Sequence, residues 1–299
     1  MLKVLVAEID NKSTVVNAFG DLNTENPKKL GQGISSTTAD NGDIGIGVKC
    51  AVSNLENNIG PAGSLEEIPL YVISWLTEQS VIQETSFSEF NCEGRIFTAP
   101  QAIMKSAQLI YEEVGDVIVL DVSGASTTVY SITAKRLAQQ TVEEDLGLRI
   151  PALTLVKLIG EGRIKEHYGQ DWKEILNSEL ETTEKIALNA ELVSAAVSIA
   201  LQRHSSGFIK DRNSVLSVEM QNLRRIRWIV GTGLALTQLP NALDIMKESI
   251  KEMNHPLLSH EGIAVMLDKD CLMASLGVLA STYRAGAWEL LRESFGVEN

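Results

Sequence analysis

The stretch Asp116–Ile132, DVIVLDVSGASTTVYSI, decides the reading of this chain. A short apolar run, Val117 to Leu120, ends in Asp121; Ser123-Gly124-Ala125-Ser126-Thr127 follow, and alternation resumes at Val129 and Ile132. An apolar run, a turn of small residues and a second β-rich run predict two antiparallel strands. The turn is too long and too small for a tight two-residue hairpin, and Gly124 permits positive φ. It offers backbone N–H groups and hydroxyls beside a carboxylate. Consecutive N–H groups in such a turn form an anion-binding concavity, and a nearby acid holds Mg²⁺ through water. A Ser/Gly turn can equally do no more than close a hairpin.

The same device occurs at the start of the chain. Leu5-Val6-Ala7-Glu8 leads into Ile9-Asp10-Asn11-Lys12-Ser13-Thr14, followed by Val15, Val16, Ala18 and Phe19. At one constant offset Glu8 falls on Asp121, Ile9 on Val122, Ser13-Thr14 on Ser126-Thr127, Val16 on Val129 and Phe19 on Ile132. A repeat of this kind predicts duplicated architecture, two half-domains each opened by an acid-bearing hairpin.

Composition bounds the rest. The 299 residues suit one large or two medium domains with substantial cores. Hydrophobic residues at 44% and charged residues at 22% are ordinary for a globular protein. A net charge of −13 argues against nucleic acid or an anionic membrane as partner. Cys50, Cys92 and Cys271 are scattered, without C-x-x-C spacing, as expected of reduced thiols in the cytoplasm. No apolar run approaches a membrane span, and Met1-Leu2-Lys3 is expected to enter a strand directly, without a signal peptide.

Along the chain, Gly20 to Pro27 reads as a polar turn, and Gly31 to Thr38 as a loop or an edge strand. Val48, Val52, Leu55 and Ile59 recur at helical spacing until Gly60-Pro61-Ala62-Gly63 stops the helix. Pro69–Leu76 and Phe87–Phe97 are apolar runs of ambiguous type, with Trp75 read as a core residue. A helix opens at Thr98-Ala99-Pro100, where proline suits the first turn, and runs through Val114. Thr141–Arg149 reads as an acidic helix start or surface turn. Residues 152–210 are predominantly helical, most clearly Leu188 to Arg203. His167 and His204 are read as surface residues, and His255 and His260, five positions apart, do not fit a helical metal pair. Arg224, Arg225 and Arg227 read as edge decoration, or as a source of one contact to a nucleotide phosphate or an acidic partner, before the Gly231-Thr232-Gly233 turn. Asp268-Lys269-Asp270 is expected to cap a final helix from Leu272.

The two acid-bearing hairpins resemble the phosphate-1 and phosphate-2 signatures of the actin, sugar kinase and Hsp70 ATPase superfamily, and WIVGTGLALTQ, residues 228–238, resembles its adenosine motif. Within that superfamily EIDNKSTVVNAF, DVSGASTTVYSI, QQTVEEDLGLRI, VGTGLALTQLP and LDKDCLMASLGVLA together resemble the glutamate mutase accessory proteins, MutL or GlmL, reactivase-like ATPases of adenosylcobalamin-dependent mutases. Residues 60–95 do not take part in the resemblance, and the family's greater length is missing in that region.

The resemblance implies an α/β fold of two actin/Hsp70-like lobes with duplicated mixed β-sheets and flanking helices, residues 1–115 and 116–299, with nucleotide space between them. It implies ATP as ligand, with Asn11, Lys12, Ser13 and Thr14, then Gly124, Ala125, Ser126 and Thr127, on the phosphates, and Gly231, Thr232 and Gly233 along the adenine. Glu8 and Asp121 would hold Mg²⁺ through water, and Thr141–Arg149 would lie near the nucleotide cleft. The partner implied is a cobalamin-dependent mutase subunit, the cobalamin staying with the mutase, and a homodimer is compatible with the sequence.

The family signatures are eroded here. Asp10 stands where the family has glycine and adds negative charge beside a triphosphate, which Lys12 can offset. Ser123-Gly124 replaces Gly-Gly, a close backbone approach that Ser123 would obstruct at positive φ, and Thr128 stands at an Asp position. Ala99 stands where Hsp70-like members carry a Glu that positions the attacking water, and a methyl group cannot act as base. Three functions follow: an ATP-dependent reactivase, a degenerate clamp that binds the mutase without ATP turnover, and, third, a small-molecule kinase.

Overall fold

A computed structural model describes residues 3–37, 44–61, 63–76, 87–133, 137–149, 151–178, 180–207, 225–253 and 262–297. The readings on Met1-Leu2, Thr38, Ala62, Leu223, Arg224, His255 and His260, and on residues 208–210 of the helical stretch, lie outside the described residues.

The chain forms two compact units: Met1–Leu109 with Leu272–Asn299, and Ile110–Cys271. In the first unit β1 (Lys3–Ile9), β2 (Ser13–Gly20), β3 (Lys28–Ser36), β4 (Leu70–Ser74) and β5 (Ile96–Thr98) form one sheet in the order β3-β2-β1-β4-β5. The β1–β2 and β2–β3 pairs are antiparallel, whereas β1–β4 and β4–β5 are parallel. The stretch left open as loop or edge strand is thus the edge strand β3.

Helix α1 (Ile44–Ile59) covers one face, where Val48, Val52 and Leu55 pack with Leu5, Ala7 and Ile9. Strand periodicity then turns Glu8 to the opposite face, on which α9 (Met273–Ala280) packs against β1 and β4. Helix α1 also seals the β3 edge: Asn54 Nδ2 donates to Ile34 O at 2.8 Å and Asn58 Nδ2 to Gln32 O at 3.3 Å. A free strand edge otherwise invites pairing with another chain.

Helix α2 (Ala99–Val114) begins with a reciprocal cap. The Thr98 N–H donates to Gln101 Oε1 at 2.9 Å and the Gln101 N–H to Thr98 Oγ1 at 3.4 Å. Its Ser106 donates to Met273 O at 2.5 Å, and a side chain at Gly277 of α9 would collide with the Ala102 carbonyl. α10 (Arg284–Ser294) approaches Leu22 equally closely at Gly286. These contacts place residues 272–299 with the first sheet, where the sequence reading had assigned them to the second lobe.

The second unit repeats the topology. β6 (Val117–Val122), β7 (Thr127–Thr133), β8 (Leu137–Glu143), β9 (Trp228–Thr232) and β10 (Ala264–Leu267) lie in the order β10-β9-β6-β7-β8. The first three strands again form an antiparallel meander, and the fourth and fifth again add parallel to the first. Helices α3 (Ala152–Ile159), α4 (Glu161–Tyr168), α5 (Trp172–Asn177) and α6 (Thr183–Gly207) follow the meander. α6 buries Leu188, Leu192, Val193, Ala196 and Val197 in one core with Ile118, Leu120 and Val122. The short α7 (Leu234–Thr237) and α8 (Ala242–Glu252) sit between β9 and β10. The duplication expected from the hairpins therefore extends to two mixed five-stranded sheets with flanking helices.

Candidate functional site

The two hairpins match residue for residue. Ile9 pairs with Thr14 and Glu8 with Val15; at the equivalent places Val122 pairs with Thr127 and Asp121 with Thr128. Each four-residue turn closes with the same bond, Asp10 N–H to Ser13 O at 3.0 Å and Ser123 N–H to Ser126 O at 3.0 Å.

In the first unit both oxygens of the Glu8 carboxylate accept side-chain hydrogen bonds. Ser275 Oγ donates to Oε1 at 2.6 Å and Trp75 Nε1 to Oε2 at 3.2 Å. Asn17 Nδ2 donates to Ser275 Oγ at 3.2 Å, and Gln32 Nε2 to Asn17 Oδ1 at 2.8 Å. A relay of neutral donors thus holds the acid in place. Trp75, read as a core residue, is half-buried and belongs to this relay. Asn11 and Lys12 are exposed, and Ser13 is half-buried. Asp10 Oδ1 accepts the Asn11 N–H at 2.7 Å. Thr14, expected on a phosphate, is buried, and its hydroxyl bonds that of Thr37 at 2.8 Å.

In the second unit Asp121 is buried beside the β9–α7 turn, where Gly233, at φ +93°, leaves room that a side chain would take from Asp121 Oδ1. Burial, then the neighbouring charge of Asp121, hold the Tyr130 phenol well above its ordinary pKa, so it stays neutral. Gly231 admits Met246 and Leu236 against β9. Thr232, expected along an adenine, is buried and donates from Oγ1 to Asp268 Oδ2 at 2.8 Å. Asp268 is fully buried, and Leu272 holds the N-cap position of α9.

The β6–β7 turn is closed from within. Ser123 Oγ accepts the N–H groups of Ala125 at 3.3 Å and Ser126 at 3.2 Å, and donates to Ser126 O at 2.9 Å. Neither Ser123 nor Gly124 has positive φ, so the backbone condition on which Ser123 was expected to obstruct a close approach is not met. The Thr127 hydroxyl, expected on a phosphate, points inward and donates to Leu146 O at 2.8 Å.

Thr141–Arg149, one reading of which set it near a ligand cleft, packs on this turn. Leu148 N–H donates to Ser123 O at 3.2 Å and Arg149 N–H to Gly124 O at 2.8 Å, and Gly147 lies against the Ala125 carbonyl. Arg203 of α6 anchors the segment through Glu143 at 2.6 Å and Asp145 at 2.7 Å, and its hydrogen bond holds the Asp145 carboxyl below its usual range. Arg225 stands 3.9 Å from Asp116, and Arg227 donates to Ile226 O at 3.0 Å.

His204 corrects the surface reading. It is 1% exposed, with Nδ1 2.9 Å from Thr141 Oγ1 and Nε2 2.9 Å from Ser131 Oγ, and burial lowers its pKa to about 4. His167 is exposed, 3.3 Å from Glu191. Among the described residues no group of three or more His, Cys, Asp or Glu side chains is placed to hold a metal, and no helix is long and apolar enough to cross a membrane.

A triphosphate needs N–H and hydroxyl donors turned outward. In these turns the Asn11, Ala125 and Ser126 N–H groups bond to side chains of the same turn, and the Thr14 and Thr127 hydroxyls bond to other parts of the protein.

Comparison with known proteins bears on both fold and family. A family model described as MutL protein matches residues 72–295. The match begins inside the stretch that the sequence reading left outside the resemblance, and does not include the first hairpin. The MutL protein of Clostridium tetanomorphum is 25% identical over 230 residues, covering 65% of this chain and 50% of that protein. The chain thus spans about half the length of the curated relative it matches. Among solved structures, component A of (R)-2-hydroxyglutaryl-CoA dehydratase from Acidaminococcus fermentans superposes with a TM-score of 0.51 at 11% identity, over 96% of this chain and 100% of that one. A ROK family glucokinase from Streptomyces griseus, in complex with glucose and AMPPNP, gives 0.53 at 12% identity, over 97% and 99%. The fold is the actin-like ATPase fold.

Proposed function

Because the chain belongs to the MutL protein family, we propose that it is an accessory protein of an adenosylcobalamin-dependent amino-acid mutase of the glutamate mutase type, and that it associates with a mutase subunit without ATP turnover. The family match carries the first half of this reading. The second half rests on the site: the turns engage their own donors, and Ala99, buried at the start of α2, supplies no base. On this reading the cobalamin belongs to the mutase, and the protein works in the cytoplasm, where its three free cysteines stay reduced.

One observation favours a second reading, an ATP-dependent reactivase. Glu8 and Asp121 stand at equivalent places, one residue before the ends of β1 and β6, as Mg²⁺-holding acids would. A bound nucleotide shifts a conformational equilibrium only by its differential affinity for the two states. Partner binding in the two readings therefore differs in one measurable respect, its dependence on nucleotide.

The test is capture of purified glutamate-mutase-type subunits with and without Mg-ATP, together with titration calorimetry and a phosphate-release assay. Equal capture in both conditions and no phosphate release are expected. Capture that requires ATP and is lost in Asp121→Ala would favour the reactivase. No capture in either condition rejects both readings.

A further inference from the structure

Asp10 and Ser123 occupy equivalent positions, two residues past the acid and first in the turn. In each case a side-chain oxygen folds back onto main-chain N–H groups of the same turn. Asp10 Oδ1 takes the Asn11 N–H at 2.7 Å; Ser123 Oγ takes those of Ala125 and Ser126 at 3.3 and 3.2 Å. A short sequence of turn N–H groups is what an oxyanion binds. A carboxylate or hydroxyl oxygen among them satisfies the same donors, and an entering anion must then displace it and leave it solvated or unpaired.

We propose that Asp10 and Ser123 are built-in occupants of the two turns, oxygen atoms standing in for phosphate oxygens, and that together they set the protein against polyphosphate ligands. The proposal rests on reading both hairpins as phosphate-type turns. It differs from a simple charge argument, in which Asp10 repels a triphosphate from a site otherwise open. The occupant argument applies equally to the neutral Ser123, and it predicts that removing charge while keeping the oxygen changes little.

Isosteric variants separate these accounts. Asp10→Asn keeps an acceptor oxygen without the charge, whereas Asp10→Gly removes the oxygen. Ser123→Thr keeps the hydroxyl, whereas Ser123→Ala removes it without loosening the backbone. Amide hydrogen exchange of Asn11, Ala125 and Ser126, followed by NMR on the full chain, reads the turns directly without ligand. Inorganic triphosphate and Mg-ATP are the probes in calorimetry.

In Asp10→Gly/Ser123→Ala these amides should exchange at least tenfold faster than in the parent, and triphosphate should bind at least tenfold tighter. Asp10→Asn/Ser123→Thr should match the parent in both. Unchanged exchange in Asp10→Gly/Ser123→Ala overturns the occupant role. Equal gains in Asp10→Asn and Asp10→Gly also overturn it and leave charge as the cause. Freed amides without triphosphate binding overturn the phosphate-type reading of the turns, and the proposal with it, while the capture assay for the mutase stands independently.

Discussion

The hydroxyl of Ser275 donates to Oε1 of Glu8 at 2.6 Å, so a helix from the last part of the chain fixes the carboxylate of the first strand. Ser275 is fully buried and also accepts from Asn17. Ser275→Ala removes a hydrogen bond to a carboxylate and strands the Asn17 amide, which should cost about 1.5–3 kcal/mol of stability. Urea unfolding followed by circular dichroism checks this, and an unchanged midpoint would show that the relay contributes nothing.

His204 makes stability depend on pH. Burial lowers its pKa to about 4, against an ordinary 6.5. Between these values the unfolded chain binds the extra proton, so stability rises with pH across that window and levels off above it. The contribution, up to roughly 3 kcal/mol, is present above pH 6.5 and is lost as the pH falls towards 4. His204→Gln should flatten the dependence in thermal melts between pH 4 and 7. The same slope in the variant would assign it to other groups.

Arg203 bridges Glu143 and Asp145, but it and Asp145 are each more than a third exposed. Solvent screening limits the contribution to about 1 kcal/mol. Arg203→Met should lower stability by that amount in low salt, and the difference from the parent should shrink in 1 M NaCl. A salt-independent difference would point to packing of the side-chain stem instead.

Two glycines of the second unit should respond oppositely to alanine. A Cβ at Gly147 would sit 2.7 Å from Ser126 N and closer still to the Ala125 carbonyl. Gly147→Ala should therefore push the turn aside and cost about 1–3 kcal/mol. Gly162 lies in α4 with nothing within 4 Å, so Gly162→Ala should stabilise by about 0.5–1 kcal/mol. Denaturant midpoints of the two variants on opposite sides of the parent are the expected result.

What the sequence made legible follows the range of the interactions. The hairpins could be read because alternation and small turn residues act locally, and the offset placing Glu8 on Asp121 already implied two sheets of one topology. The offset also aligned Asp10 with Ser123, but not what their side chains bond. His204 escaped because its partners Thr141 and Ser131 lie 63 and 73 residues away. Asp268 was read from its position before α9, while its partner Thr232 lies 36 residues back. Packing of α9 on α2 required Gly277 to meet Ala102, a pairing that no local pattern announces.

The return of residues 272–299 to the first unit has a consequence for synthesis on the ribosome. Ile110–Cys271 is one uninterrupted stretch and can close its core while the chain is still being made. The first unit draws on two separate stretches: Ser106 donates to the Met273 carbonyl, Ser275 to Glu8, and Leu22 packs at Gly286. These contacts of β1, Leu22 and α2 therefore form only after residues 273–286 have been made, whereas the buried core on the face of the first sheet that α1 covers is drawn from residues 5–92.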